Sequence, residues 1–451
     1  MATATNTNYQ VEISNRQILQ IAMPISLAIL VPQINFITNN IFLGHLDEQS
    51  LATAGITGVY YLIFAVVGQG LNNGLQALIA RRAGENRIDE IGKLFSQSIL
   101  ISLGLAFACI AVTYISTEWV FQYSIKSPVV REQAISFLRI RIWGLPFLYM
   151  YQMRNALLVG TNQSKFLIYG TLAETIVNIA LDYALIFGHW GLPQLGFNGA
   201  AYASIVAEAA GMVVVFAVIH VKGISSQLQL YGSLRPDRKN IFLIITQSSP
   251  LILQYVISVT SWEFFYIMVE HHGERDLAIS NTMRNIFGLF GVFTWSFAST
   301  TNTMVSNIIG QGKKERVMEL IMKIIKLSLT FSLTMALLLN LFPHVFLSVF
   351  GQNLDFARAA IPVIRVVSVA LVMMSFSTIW LNAVTGTGNT NVNLAIEIIT
   401  IIFYCIYVYL VLGYFNLPIL YGWMSEYVYW MTTFTLAFFY LRSGRWKKKV
   451  I

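Results

Sequence analysis

Glu174, Asn178 and Asp182 stand four residues apart inside an apolar run, residues 166–188. At about 100° per residue, that spacing lays all three on one stripe of a helix. Carboxylate and amide oxygens suit a hard cation such as Na⁺, while a desolvated Asp takes up a proton instead. Either is the chemistry of an ion carrier, and a Na⁺ held at Asp182 and Asn178 is the metal reading. In the second half Glu263 lies well inside an apolar run, within Ser258-Val259-Thr260-Ser261-Trp262-Glu263, and is that half's best acid. Arg284 is the cation that could neutralise it. Glu208, Glu397 and Glu426 are weaker candidates of the same kind. Acids inside a membrane cost roughly 2.5 to 3.5 kcal/mol each on insertion scales, which makes every one a candidate for function.

The same inventory excludes other chemistry. His45, His189, His220, His271, His272 and His344 fall near the ends of apolar runs, without a paired-Asp, HExxH or Ser/His spacing, so an enzyme is not expected. Cys109 and Cys405 lie within apolar runs and outside any CxxC, which implies neither a disulfide framework nor a zinc site. The turns Gly160-Thr161-Asn162-Gln163 and Gly386-Thr387-Gly388-Asn389 lack the Walker lysine, so nucleotide coupling is not expected and no cofactor is implied beyond a coupling Na⁺ or H⁺.

The elements that must position these acids are membrane helices. Of the 451 residues, 56% are hydrophobic and 11% charged, with a mean hydropathy of +0.63; an average soluble domain is about 25% charged. Runs long enough to cross a bilayer lie near 21–43, 51–79, 96–117, 134–154, 166–188 and 199–220. Six more lie near 241–269, 277–308, 324–349, 359–385, 392–414 and 420–441. The expected architecture is therefore an all-α membrane protein of twelve transmembrane helices. Residues 1–220 form an N-terminal six-helix lobe, 221–240 a cytoplasmic linker and 241–451 a C-terminal six-helix lobe. The net charge of +8 sits in short loops, where it orients a membrane protein and gives little reason to expect nucleic acid. By the positive-inside rule both termini are cytoplasmic, in the plasma membrane (the inner membrane of a bacterial cell). Residues 1–20 lack the features of a signal peptide, so the first helix is expected to stay.

Residues 24 to about 161 repeat their own pattern 226 positions later. Pro24 returns as Pro250, Leu51-Ala52 as Leu277-Ala278, Gly84 as Gly310, Arg139 as Arg365 and Gly160-Thr161 as Gly386-Thr387. An even number of helices in each half makes the repeats parallel, related by a pseudo-two-fold axis along the membrane normal. Repeats of this kind mark transporters with a ligand site between the halves. Pro24, Pro32 and Pro250 sit inside helices that they can kink, a property alternating access can use as a hinge. The aromatic residues, Trp262 and Trp295 among them, favour an organic cation where they face a cavity.

With Met23-Pro24-Ile25, the run Asn39-Asn40-Ile41-Phe42-Leu43-Gly44-His45-Leu46, Ala83-Gly84-Glu85-Asn86, the Gly160-Thr161 turn and Asn178-Ile179-Ala180-Leu181-Asp182, the chain resembles the multidrug and toxic compound extrusion family of secondary transporters. The resemblance implies two six-helix lobes around a V-shaped cavity and export of drugs or metabolites driven by entry of Na⁺ or H⁺. It places the cation-coupling residues at Asn178 and Asp182, with Glu174 beside them, Asn39 where the family usually has an Asp, and Ser204 as the completing hydroxyl. In the second half it puts Ser258 where many bacterial members carry a helix-seven Glu, and likens Glu263 to a second Glu of eukaryotic members. The implied activity is antiport of organic, cationic or amphipathic compounds. The alternative is a lipid or lipid-linked oligosaccharide flippase of the same superfamily, which normally has more than twelve helices or a cationic cavity. The expected partners are a small organic substrate and the lipid bilayer, with the chain acting as a monomer.

Overall fold

The structure, a computed structural model, describes residues 9–46, 48–125, 127–232, 235–348 and 354–449. Its first half is built of α1 (Asn15–Leu46), α2 (Glu48–Gly84), α3 (Ile88–Ser124), α4 (Pro128–Arg141), α5 (Leu145–Gly160), α6 (Leu167–Phe187), α7 (Phe197–Val221) and the short α8 (Ile224–Gln227). The second half comprises α9 (Arg238–Glu270), α10 (Glu274–Gly310), α11 (Val317–Leu341), α12 (Pro343–Ser348), α13 (Leu354–Gly386), α14 (Thr390–Val408), α15 (Ile419–Trp423) and α16 (Ser425–Arg442). There is no strand among the described residues. That follows from the composition, since only helices satisfy their backbone groups within one apolar segment.

The fourth membrane helix is α4 and α5 joined by a 3₁₀ turn at Ile142–Gly144. Pro146 explains the break, since its ring clashes with the carbonyl four residues back and it has no N–H to donate. The eleventh, α14, widens into a π turn at Tyr409–Tyr414. With these allowances, the described residues form twelve long helices.

The repeat is visible in the turns. Asn86 (φ 58°) and Gly312 (φ 78°) are left-handed residues 226 apart, and so are Asn162 (φ 60°) and Gly388 (φ 87°). After α2 the Asn86 N–H reaches the Ala83 carbonyl, and its equivalent after α10, the Gly312 N–H, reaches Ile309. After α5 the Asn162 N–H reaches the Val159 carbonyl, and its equivalent after α13, the Gly388 N–H, reaches Thr385. Each is a left-handed closure of a helix C-terminus, filled by Asn in the first half and Gly in the second.

The chain divides into two compact units, one of residues 1–26, 80–86 and 253–451, the other of 27–79 and 87–252. Two of the boundaries, after Ser26 and after Ile252, are again 226 apart, and each falls two residues past a repeated proline, Pro24 or Pro250. In the larger C-terminal unit the end of α2 crosses the end of α10. A Cβ on Gly84 would collide with the Asn307 carbonyl, and one on Gly310 with the Arg81 carbonyl, so only glycine permits the approach. Arg81, 4% exposed, donates to the carbonyls of Ser306 (3.0 Å) and Gly386 (3.1 Å) at the C-terminal ends of α10 and α13. There a cation meets both orphan acceptors and the negative helix poles. Asn307 also ties down the N-terminal segment, donating to the Tyr9 carbonyl (3.0 Å) and accepting from the Val11 N–H (3.1 Å). In the other unit the segment before α9 docks on α3, where Gln97 donates to the Arg235 carbonyl (3.0 Å) and accepts from the Asp237 N–H (3.1 Å).

Candidate functional site

In the N-terminal unit, α1 and α6 bring Asn39, Asn178 and Asp182 together. Asp182 is fully buried and Asn178 is 4% exposed. With its amide nitrogen turned toward α6, Asn39 donates to Asn178 Oδ1 (3.3 Å), to Asp182 Oδ2 and to the Asn35 carbonyl one turn below (3.2 Å). Around this contact several buried polar atoms have no partner among the described residues: Asp182 Oδ1, Asn178 Nδ2, Asn35 Oδ1 and Thr175 Oγ1. Thr175, Asn178 and Asp182 share the inner stripe of α6, and Asn35 precedes Asn39 by one turn of α1. Unsatisfied oxygens at this depth are costly unless a proton, a cation or water completes them.

Glu174, one turn before Asn178, belongs to a second group. It lies against Gly211 of α7, where a Cβ would come 3.0 Å from the Glu174 Cβ. The group's centre is a buried ion pair: Arg141 at the end of α4 donates to Glu208 of α7 at 3.0 and 2.5 Å. The Tyr61 hydroxyl adds a third donor to Glu208 (3.3 Å), and the Tyr61 ring lies 3.9 Å from the guanidinium carbon. Gly144 leaves the room this pair needs, since a Cβ there would strike both partners. Among the described residues Arg141 makes its ion pair with Glu208 alone; neither Glu174 nor Asp182 has one. Ser204 is half-buried on α7, one turn before Glu208, and makes no hydrogen bond to the Asp182 group among the described residues.

Arg141 is the residue that sequence reasoning missed. Its signal was present in Arg139-Ile140-Arg141: two residues apart on a helix, the arginines point about 200° apart, so one must face inward. Arg139 faces outward to Glu118 (2.7 Å), and Arg141 takes the buried acid.

In the C-terminal unit the buried acids are Glu397 and Glu426, 0% and 7% exposed, whereas Glu263 is half-buried. Arg284 lies over the Tyr266 ring (5.2 Å) and makes no ion pair with Glu263 among the described residues. Glu397 on α14 accepts from Ser258, from Tyr429 (2.5 Å) and from Gln254 (3.4 Å), all neutral. Ser258 thus meets a carboxylate that arrives from the eleventh membrane helix. Moved by 226, Glu174 maps to Thr400, one turn from Glu397 on the same stripe, so the equivalent helix of the second half also buries an acid.

Beside this cluster is a cavity of about 260 Å³ walled by Trp262, Trp295, Tyr404, Tyr429 and Trp430, with Glu426 as its acid. Glu426 accepts from the Trp430 indole (2.9 Å). Aromatic faces around a carboxylate form an environment for an organic cation. Among the described residues, no three His, Cys, Asp or Glu side chains gather as a metal site.

A profile of the MatE family matches residues 24–184 and again 250–410, two stretches offset by the 226 residues of the repeat. The probable multidrug resistance protein NorM of Agrobacterium fabrum is 21% identical over 277 residues, 61% of this chain and 59% of that protein. The protein of the same name from Synechocystis is 26% identical over 207 residues, 46% and 44% of the two chains. The match therefore spans only about half of the length of these curated relatives. A solved MOP superfamily transporter from Pyrococcus furiosus covers 98% of each chain with a TM-score of 0.87 at 18% identity, a likeness of fold.

Proposed function

Because the chain belongs to the multidrug and toxic compound extrusion family of membrane transporters, we propose that it exports small organic compounds, cationic or amphipathic, in exchange for Na⁺ or H⁺ by alternating access. The observation that carries this reading is the fully buried Asp182, whose Oδ1 has no partner among the described residues, with Asn39 in contact with it and further unpartnered oxygens on Asn35 and Thr175 along the same two helices. Carboxylate, amide and hydroxyl oxygens suit Na⁺, and a carboxylate that meets no cation at this depth binds a proton. Asn39 in place of a second carboxylate lowers the site's charge by one and fits a single monovalent ion. One such ion crossing about 100 mV supplies about 2.3 kcal/mol, enough for roughly a forty-fold substrate gradient.

The aromatic cavity with Glu426 supports a cationic substrate, because the rings and the carboxylate both favour positive charge. Glu397, next to it and free of basic partners among the described residues, is the acid on which a proton could alternate with that substrate's charge. The same acids speak against the flippase alternative, for which a cationic cavity would be expected. The excess of Lys and Arg in alternate loops supports cytoplasmic termini in a plasma membrane.

The test is efflux of a fluorescent organic cation from proteoliposomes under separately imposed sodium and proton gradients. Wild type should respond to one gradient and Asp182→Asn to neither. Undiminished ion-driven flux in Asp182→Asn would remove the assignment.

A further inference from the structure

We propose that a pocket at the end of α16 is a binding site for the headgroup of an anionic phospholipid. The apolar run of α16 ends at Arg442, and the next residues hold Arg445, Lys447, Lys448 and Lys449, making five cations in eight residues. A membrane-spanning helix that ends in this way leaves its cations at the boundary between hydrocarbon and water. Charge density alone would explain only a diffuse attraction. The structure adds a built cavity.

Gly444, left-handed at φ 70°, ends the helix and folds the chain back on itself. Trp446 is thereby tucked in, 2% exposed, and its indole N–H donates to the Leu441 carbonyl (2.8 Å). The turn is latched to the 3₁₀ turn Lys314–Arg316 that precedes α11: Lys314 donates to the Lys447 carbonyl (2.7 Å), and Lys447 pairs with Glu315 (2.6 Å). What results is a cavity of about 330 Å³ with two kinds of wall. Met318, Phe438 and Trp446 supply apolar surface, while Lys314, Arg442 and Lys447 supply three positive charges against the single negative charge of Glu315. Lys447 is already paired with Glu315, and Lys314 is held by a carbonyl that leaves its charge uncompensated. The exposed guanidinium of Arg442 touches only the Phe438 ring (5.8 Å) and has no carboxylate partner among the described residues. It is therefore free to take a phosphate through two parallel N–H bonds.

An apolar wall beside uncompensated cations at the membrane boundary is complementary to a glycerophospholipid carrying net negative charge. The glycerol and first acyl carbons would lie against Phe438 and Met318, and the phosphate between Arg442 and Lys314. A neutral phosphocholine lipid brings its own cation and would be disfavoured. A soluble phosphate would use the cations but not the apolar wall.

The experiment is a thermal-unfolding titration of the full chain in detergent with dioleoyl phosphatidylglycerol, dioleoyl phosphatidylcholine, glycerol 3-phosphate and inorganic phosphate. Phosphatidylglycerol alone should raise the melting temperature in a saturable way, and Arg442→Gln/Lys314→Gln should weaken its apparent affinity about thirty-fold. If Lys314→Gln loosens the turn, Arg442→Gln alone serves, since that side chain is exposed. Lys448→Gln, outside the pocket, should change the affinity by less than about threefold. Equal stabilisation by inorganic phosphate would overturn the lipid assignment. An unchanged phosphatidylglycerol response in the pocket variants, or an equal response to phosphatidylcholine, would overturn the site.

Discussion

Replacing Arg141 with Met asks whether the pair it forms with Glu208 is ionic in the folded protein. The two side chains are 13% and 7% exposed and meet through two hydrogen bonds of 3.0 and 2.5 Å. Removing one member of such a pair leaves the other charge buried without compensation, which typically costs 3–5 kcal/mol. The Tyr61 hydroxyl still donates to Glu208 after the substitution, so a value near the lower end, about 3 kcal/mol, is expected. Neutralising both partners removes the buried charge altogether, and Arg141→Met/Glu208→Gln should regain most of that loss, because neutral replacements of buried pairs are often tolerated. The assay is reversible unfolding in mixed micelles at increasing denaturing detergent, with the two single variants and the double variant compared as a cycle. An Arg141→Met loss below about 1 kcal/mol would show that Glu208 is already neutral in place. A double variant no more stable than Arg141→Met would refute the argument that the buried charge, rather than lost packing of the long side chain, sets the cost.

Two further outcomes follow from the geometry. Gly84→Ala should lower the melting temperature, with an overpacking cost of about 1–3 kcal/mol or more, because the atom its Cβ meets is the Asn307 backbone carbonyl, which cannot swing aside as a side chain could; Asn86→Gly, at a left-handed position nearby, is the control that should leave stability unchanged or slightly raised, and an Ala variant as stable as wild type would show that the helix crossing is looser than described. Glu397→Gln should keep or improve stability, since its three partners are neutral and can serve an amide, while abolishing proton-driven efflux of the cationic substrate; full coupling in that variant would exclude Glu397 from the ion path.

The parts of this protein that could be read from its sequence are those fixed by local chemistry. The 226-residue offset is such a part: it reappears in paired left-handed turns and in unit boundaries that each follow a repeated proline, because turn residues and prolines act through their own backbone angles. The stripe on α6 was legible for the same reason, since helical spacing alone decides which of its side chains share a face. What stayed hidden depends on packing between helices distant in the chain. Glu208 found its cation on α4, and Glu397 its hydroxyl on α9, 139 residues away. No periodicity in one helix records which face of another will be opposite. Glu263 lies five residues past Ser258, which turns it about 140° from the Gln254–Ser258 face that meets α14. It is half-buried and stands apart from the Glu397 cluster, a separation that position within one apolar run does not record. The duplicated scaffold therefore carries a buried acid on the equivalent helix of each half, Asp182 on α6 and Glu397 on α14, and neither has an ion-pair partner among the described residues: Asn39 donates to Asp182 and neutral donors hold Glu397, while Arg141 pairs with Glu208 on α7. An exporter that exchanges a cation for a charged substrate needs acids that can change occupant, and an acid without a resident cation is free to do so. By that criterion Asp182 and Glu397 are the groups that can alternate, while Glu208 is fixed by its partner.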